Sequence, residues 1–228
     1  MQSVNKSKEI RKLIIKKAID HVADSGWTEK ALKEAAKDLN MSGAVVGQLF
    51  PEGGVAMPHY LLGHWEEQLA QVSSKDLLPL PLKDRVEFYM RKRLEMQTEV
   101  MPYWREAMLL GARPPYLGTT WSLLWSTWDL IWRRCGEEVA EPRHSIRRLA
   151  LGNLHLATEV YMLNDNSENY RDSWLFLQNR VNNMFTIGNF VYTGIDLSSF
   201  VLKANYRILE SYYPQPTSYE NPIEDNKP

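Results

Sequence analysis

The spacing of apolar residues along the chain is helical almost throughout. Between residues 117 and 135, apolar side chains recur three or four positions apart and form one continuous face. Its members are Trp121, Leu124, Trp125, Trp128, Ile131 and Trp132. Similar spacing predicts helices over residues 8–24, 28–39, 57–73, 82–101, 145–163 and 196–212, and one more that carries Trp174, Leu177, Val181, Met184 and Phe185. No segment alternates apolar and polar residues as a strand does, so the chain is predicted to be all-α.

The N-terminal part predicts three short helices, with a tight turn between the second and the third. Ser25 and Gly26 end the first helix, Thr28 is placed to cap the second, and Ser42 to cap the third. This is the spacing of a helix-turn-helix motif. The third helix has no cationic residue, and Gln48 is its one side chain suited to reading a base. We therefore expect a degenerate motif that serves packing and binds no nucleic acid, and a transcription regulator is the less favoured alternative.

The composition of the chain excludes several classes of protein. The chain has 228 residues, of which 44% are hydrophobic, and a formal net charge of −1, so it lacks the positive field that holds nucleic acid. A single cysteine, Cys135, excludes a disulfide framework. No run approaches the roughly 20 apolar residues of a spanning helix. The basic residues 1–20 carry a helical apolar stripe, which favours a first helix with a solvated basic face over a transit peptide. If the protein enters an organelle, we expect its presequence to be missing from this sequence.

Pro102 is expected to close the helix over residues 82–101.

The sequence gives no sign of catalytic chemistry. His155 and Glu159 lie one helical turn apart, but no third metal ligand has a suitable spacing, so His155 is expected to be a satisfied helix-face residue. There is no glycine-rich phosphate loop and no facing pair of carboxylates. The sequence therefore predicts a protein that is not an enzyme and holds neither metal nor cofactor.

Three segments resemble the mitochondrial lipid-binding auxiliary proteins of coenzyme Q biosynthesis, a family with a TetR-like fold. Residues 26–28 read GWT, residues 50–54 read FPEGG, and residues 172–182 read DSWLFLQNRVN. The family's Asp-x-x-Trp and Arg-Arg motifs also have counterparts, Asp129 with Trp132 and Arg147 with Arg148. The resemblance covers roughly residues 10–210, and the segment 172–182 is its most specific part.

The resemblance implies a function that spacing alone does not show. Family members form dimers, hold an isoprenoid lipid in an apolar cavity of the second domain, and dock on the matrix side of the inner membrane through a C-terminal amphipathic helix. They present a quinone intermediate to the membrane-bound demethoxyubiquinone hydroxylase. This divides the chain into a degenerate helix-turn-helix part (1–56), a lipid-binding part (57–190), an amphipathic helix (191–213) and a disordered tail (214–228).

The resemblance also assigns two sets of binding residues. Those expected to line a cavity for an isoprenoid, quinone or phospholipid are Trp121, Leu124, Trp125, Trp128, Val181 and Phe185. Those expected to face the membrane are Leu197, Phe200, Val201 and Ile208. Alternatives stay open for both: the tryptophan stripe also fits an ordinary helix–helix core, and the last helix also fits one that packs on its own domain.

The sequence departs from the family on the surface that faces the hydroxylase. Apolar and aromatic positions of that patch correspond here to Leu130, Arg134, His144 and Ser145. A cation and two polar side chains in place of apolar anchors put this partner in question. The alternative is a non-catalytic structural subunit of another mitochondrial membrane complex. A homodimer is expected unless the chain is built into such a complex.

Overall fold

The computed structural model describes residues 2–137 and 143–188, with side chains over residues 6–137 and 145–186. Within these ranges the chain forms α-helices and short 3₁₀ turns and no β-strand, which confirms the all-α prediction. The four membrane-facing candidates Leu197, Phe200, Val201 and Ile208 lie outside the described residues, as does the predicted tail. The helices are α1 Gln2–Ile19, α2 Val22–Ser25, α3 Glu29–Asp38, α4 Ala44–Leu49, α5 Ala56–Gln71, α6 Leu82–Glu95, α7 Met101–Gly111, α8 Pro114–Arg134, α9 Arg143–Met162 and α10 Arg171–Gly188.

Two expectations about helix ends were wrong. Pro102 does not close a helix, because α6 already ends at Glu95 and Pro102 lies in the first turn of α7. Proline is tolerated there because the first turn has no backbone acceptor for its missing N–H. Thr28 stands at the start of α3, but its hydroxyl donates to the Ser25 carbonyl 2.7 Å away and caps no helix N–H.

The N-terminal helices form a small layer around α3. The predicted first helix is interrupted at Asp20 and His21, which separate α1 from α2. α1 packs against α3 and α5, and α3 packs against α4. The turn between α3 and α4 passes through Asn40, whose φ of 57° is left-handed. Helix, tight turn and helix therefore lie where the sequence predicts them, and the TetR-like topology stays a prediction.

Two of the family segments meet where this layer joins the rest of the protein. Gly54 sits so close to Trp27 that a β-carbon on it would overlap the Trp27 carbonyl oxygen. The indole N–H of Trp27 donates to the Tyr103 carbonyl over 2.7 Å, and its ring meets the edge of Trp104 at 5.7 Å between ring centroids. The GWT and FPEGG segments are thus a packing junction between the N-terminal layer and α7.

The second part is a helical bundle whose core is continuous with that of the N-terminal layer. α8 packs against α5 and α9, while α10 packs against α9 and α6. Asp129 on α8 pairs with Arg148 on α9 at 2.6 Å, and the guanidinium of Arg147 lies 5.7 Å from the ring centroid of Trp132. The family's Asp-x-x-Trp and Arg-Arg motifs therefore clamp α8 to α9.

None of the helices in the described part is both long enough and apolar enough to cross a membrane.

The Gly54 junction gives a direct stability test. We expect Gly54→Ala to lower the free energy of unfolding by about 2–4 kcal/mol, because its methyl group meets backbone that cannot move away. Gly63, inside α5, has no atom within 4 Å of the place that a β-carbon would occupy, so Gly63→Ala should raise stability by about 0.5–1 kcal/mol. Urea unfolding measures both free energies of unfolding. Equal stability of the two variants would contradict the close packing of Gly54 against the backbone of Trp27.

Candidate functional site

The tryptophan stripe on α8 runs from solvent into the core. Trp121, near the start of the helix, is 37% exposed, Trp125 is half-buried, and Trp128 is 1% exposed. The rings of Trp121 and Trp125 both pack against that of Trp128, with ring centroids 5.4 Å and 6.2 Å away, and Trp121 meets it edge-on. Leu124 is buried beside them. Four of the predicted lipid-binding residues therefore form one graded surface.

The inner end of the stripe is pinned to α9. The indole N–H of Trp128 donates to Nδ1 of His155 over 3.0 Å. Gly152, one turn earlier on α9, makes room for the ring, since a β-carbon there would lie 2.6 Å from Trp128 ring atoms. His155 is fully buried. It therefore lies on the face of α9 that packs into the core, where it contacts the stripe.

A buried polar cluster lies next to this histidine. Arg93 Nη1 donates to Gln97 Oε1 at 2.9 Å, and Gln97 Nε2 donates to Glu159 Oε1 at 2.8 Å. The same carboxylate oxygen accepts the indole N–H of Trp104 at 2.6 Å. Arg93 also lies over the ring of Trp65, 4.4 Å from its centroid. The cluster joins α5, α6, α7 and α9 through side chains that are almost completely buried.

Burial dominates the electrostatics of the cluster. It raises the pKa of Glu159, against the opposing effect of Arg93 and of two hydrogen bonds. It lowers the pKa of Arg93 to about 10, so the guanidinium is still protonated at neutral pH. Burial and the charge of Arg93 together hold the pKa of His155 well below its ordinary value. His155 is therefore a neutral imidazole at pH 7.

Several hydrogen-bonding atoms of this region have no partner within the part of the chain that the structure describes. Nε and Nη2 of Arg93 and Nε2 of His155 are buried and without a hydrogen bond among the described residues. The same is true of Nε1 of Trp132 and the hydroxyl of Tyr60, each in a different place in the bundle. Buried polar atoms are normally paired, so two such side chains in one cluster indicate a place for a ligand or an internal water.

The remaining predicted cavity residues lie on another helix. Val181 is fully buried and Phe185 is half-buried, and both are on α10, which packs on α9 and α6. The structure therefore places them in the same core as the stripe but on a different helix pair. Of the predicted partner patch, Leu130, Arg134 and Ser145 are half-buried, and the side chain of His144 lies outside the described residues.

Two surface grooves lie away from the stripe. One, of about 750 Å³, is formed by the end of α9 and the loop before α10, and Tyr161, Asp165 and Arg171 are among its walls. The other, of about 320 Å³, lies between α1 and α5 beside Lys12, His59 and His64. Neither is lined by a tryptophan of the stripe. The stripe is closely packed in this structure, and a ligand beside it requires the helices to part.

Neither metal nor thiol chemistry has support in the described ranges. Residues 2–137 and 143–188 contain no group of three or more His, Cys, Asp or Glu side chains that could hold a metal ion. Cys135 is buried, and burial raises its pKa to about 12, so it is protonated and a poor nucleophile.

Sequence reasoning missed Arg93 and Gln97, although a signal was present. Arg93 falls on the stripe of α6 that carries Val86, Met90 and Leu94. Gln97 lies two residues beyond the end of that helix and continues the same spacing, so the helical period places both side chains inside. A charged residue at an interior position is rarely fully buried without a partner. Glu159, in register with His155 on α9, was the matching signal for that partner.

The buried carboxylate gives the second stability test. We expect Glu159→Ala to cost about 2–4 kcal/mol, because it leaves the buried N–H groups of Gln97 and Trp104 without their acceptor. Glu95 is the matched control, since it pairs with Arg91 and Lys92 at 2.9 Å on the surface of the same bundle. Its replacement by Ala should cost below about 1 kcal/mol. Chemical unfolding followed by tryptophan fluorescence measures the free energy of unfolding of both variants. Similar decreases for the two would contradict the stabilising role of the buried carboxylate.

Comparison with known proteins bears on this part of the chain. The COQ9 family model matches residues 117–188, which cover all but the first three residues of α8 and the whole of α9 and α10. The chain is 28% identical over 194 residues to "Ubiquinone biosynthesis protein COQ9-A, mitochondrial" of Xenopus laevis, an alignment that covers 80% of this chain and 60% of that protein. The protein named COQ9 in Drosophila melanogaster is 30% identical over 177 residues, with coverage of 75% and 54%. Its Homo sapiens counterpart is 26% identical over 192 residues, with 79% and 59%.

These matches confirm the family resemblance inferred from the sequence. The chain spans about three fifths of the length of the relatives it matches. The Xenopus, Drosophila and human relatives all carry the words ubiquinone biosynthesis and mitochondrial in their names.

Proposed function

We propose that this chain, a relative of the COQ9 proteins of ubiquinone biosynthesis, is a mitochondrial lipid-binding protein that assists that pathway without catalysing a step. The observation that carries the proposal is the graded tryptophan stripe on α8, which lies inside the segment matched by the family. The names of the relatives support the pathway and the compartment. The ligand class is an isoprenoid, with or without a quinone ring.

The stripe has the chemistry that a polyprenyl chain needs. Such a chain offers apolar area and almost no hydrogen bonds, so its site must supply apolar and aromatic walls. Trp121 keeps 37% of its surface exposed at the outer end, and Trp125 is half-buried behind it. A large aromatic side chain left in water at the mouth of an apolar row is the arrangement from which a tail gains most by covering it.

The proposed place of action is the matrix face of the mitochondrial inner membrane, with the demethoxyubiquinone hydroxylase or another membrane complex as partner. A protein that carries a lipid to a membrane enzyme needs peripheral contact only. A homodimer is part of this proposal unless the chain is built into a larger complex.

A second candidate function is that of a non-catalytic subunit of another mitochondrial membrane complex. One observation favours it: Arg134, in the last turn of α8, is half-buried at a position where the family carries an apolar anchor. Docking this surface on an apolar partner would desolvate a cation without an acceptor. A partner with an acidic group opposite Arg134 would remove this cost.

Lipid binding is tested at the exposed end of the stripe. Trp121→Gln should cost little stability, because Trp121 is already partly in water, but it should reduce the isoprenoid lipid that co-purifies by several-fold. Leu175→Gln is the control, an equally mild change of an exposed apolar residue on α10. Organic extraction and mass spectrometry of protein made in a lipid-rich host measure the bound lipid. A wild-type protein that carries no isoprenoid or acyl lipid would make the stripe plain helix–helix core.

The partner is tested by affinity purification from native mitochondrial membranes. We expect little demethoxyubiquinone hydroxylase with the wild-type chain, and more with Arg134→Leu, which restores the apolar anchor. Label-free quantification of the co-purified proteins gives the ratio. Strong recovery of the hydroxylase with the wild type would restore the usual role of the family, and recovery of a respiratory or other large complex would favour the subunit function.

A further inference from the structure

We propose that the groove between α1 and α5 binds a phosphate group. Its volume is about 320 Å³, at the lower end of the range for small-molecule sites. Basic side chains of α1 line one side of the groove: Lys8, Arg11 and Lys12. In the described part of the chain its walls include no residue of the tryptophan stripe, so this inference goes beyond the proposed lipid-binding function.

Two of the three cations are available to a ligand. The basic residues share one face of α1 because they lie three or four positions apart. Arg11 is already used within the protein, since its guanidinium donates to the carbonyl of Leu49 and pairs with Glu52. Lys8 and Lys12 are exposed and have no ion pair among the described residues. Their ammonium groups are therefore the charges that an anion in the groove would meet.

These two lysines are opposed by a single acid among the walls that the structure describes. Glu67 lies at the end of the groove, and its side chain is 73% exposed. Water and salt therefore weaken its field. Lys8 and Lys12 together leave the groove with an excess of positive charge, which favours an anion over a neutral molecule or a cation.

The α5 side of the groove carries polar atoms that lack a partner. The hydroxyl of Tyr60 and Nδ1 of His64 are buried and have no hydrogen bond within the described ranges. Burial raises the pKa of Tyr60, and the charge of Glu67 raises it further, so the hydroxyl is protonated at neutral pH and can donate. Buried polar atoms are normally paired, and an oxygen of a bound anion would be the acceptor for this hydroxyl.

His59 is the wall residue that is already engaged. Its Nε2 is 2.8 Å from the hydroxyl oxygen of Thr120, and that hydroxyl also donates to the carbonyl of Gly111 at 2.9 Å. A hydroxyl has one proton, so His59 must be the donor of the first bond. His59 therefore ties the groove to α8, and recognition of the anion is left to the lysines and Tyr60.

Gly63 gives the ligand room between these groups. It is a wall of the groove, and no atom lies within 4 Å of the position that a β-carbon on it would occupy. Glycine inside a helix is destabilising relative to alanine, so this open space is not required by the fold of α5. A phosphate over Gly63 would have Lys8 and Lys12 on one side and Tyr60 on the other.

The number of charges and donors favours a phosphate over a carboxylate. A phosphate ester carries about −1.5 to −2 charges at pH 7 and three strong acceptor oxygens. Lys8 and Lys12 match two negative charges, and the Tyr60 hydroxyl adds a neutral donor. A carboxylate has one charge and would leave one of the lysines unmatched.

The test uses variants that change the groove and keep the fold. Gly63→Met fills the open space, and Gly118→Met is its control, because Gly118 is an exposed glycine of α8 that also has no atom near its β-carbon position. Lys12→Gln removes a cation of the groove, and Lys16→Gln removes an exposed cation of α1 that is not one of its walls. Tyr60→Phe deletes a hydroxyl without a partner in the described ranges, so it should not lower stability.

The expected result is a loss of pyrophosphate binding in the groove variants alone. Titration calorimetry at low salt should give a dissociation constant about fivefold higher for Lys12→Gln and for Tyr60→Phe, the effect of one lost hydrogen bond to the anion. Gly63→Met should raise it more than about tenfold, because its side chain takes the place of the ligand. The two controls should change it less than about twofold.

Glu67→Gln should act in the opposite direction. Removal of the opposing acid should lower the dissociation constant of pyrophosphate about twofold to threefold. A mere loss of stability in the variants would not produce this gain. A wild-type chain that binds neither pyrophosphate nor vesicles of phosphatidylglycerol would overturn the proposal. Gly63→Met binding both as tightly as the wild type would also overturn it.

The two probes separate the sources of a phosphate group. Pyrophosphate binding that Gly63→Met abolishes assigns the groove to a soluble phosphate compound. Vesicle binding that the same variant abolishes, without affinity for pyrophosphate, assigns it to a lipid head group. The isoprenoid lipid that co-purifies should be equal in Gly63→Met and the wild type, so failure of the lipid-binding function and failure of the phosphate site are seen separately.

Discussion

The desolvated charge of Arg93 is the constraint on which the bundle depends. A guanidinium taken fully out of water is strongly destabilising unless acids and hydrogen bonds compensate it. Arg93 donates a hydrogen bond to Gln97, and Gln97 donates one to Glu159. The guanidinium of Arg93 also lies over the ring of Trp65. Helices α5, α6 and α9 are therefore tied to one another by a charge that none of them can leave unpaired.

The same carboxylate oxygen carries the constraint to the N-terminal layer. Glu159 accepts the N–H of Trp104 on α7, and the ring of Trp104 meets Trp27 and Trp65 at 5.7 and 5.2 Å. Trp27 in turn packs against Gly54 and donates to the backbone of α7. A single chain of contacts thus runs from the buried charges to the N-terminal helices, so that layer contributes to the packing of the whole bundle.

The sequence predicted the helices well where the apolar spacing is regular. It predicted helix boundaries less well where the boundary depends on a single side chain. The tryptophan stripe, the short third helix and the all-α class follow from spacing. The position of Pro102 in its helix and the hydroxyl of Thr28 do not, because proline and threonine each suit either side of a helix boundary. The Arg93 cluster needed knowledge of which helices meet, since Arg93 and Glu159 are 66 positions apart in the chain.

The motifs that carry the family resemblance and the buried polar residues beside the stripe are largely different residues. Gly54 and Trp27 join two layers, and Asp129 with Arg148 clamps α8 to α9. Those contacts fix the angle between helices, and so the direction in which Trp128 presents its N–H to His155. Arg93 and His155 stand outside the motifs yet depend on that geometry. The motifs therefore specify a scaffold, whereas Arg93, Gln97 and Glu159 form the polar part of its core beside the stripe.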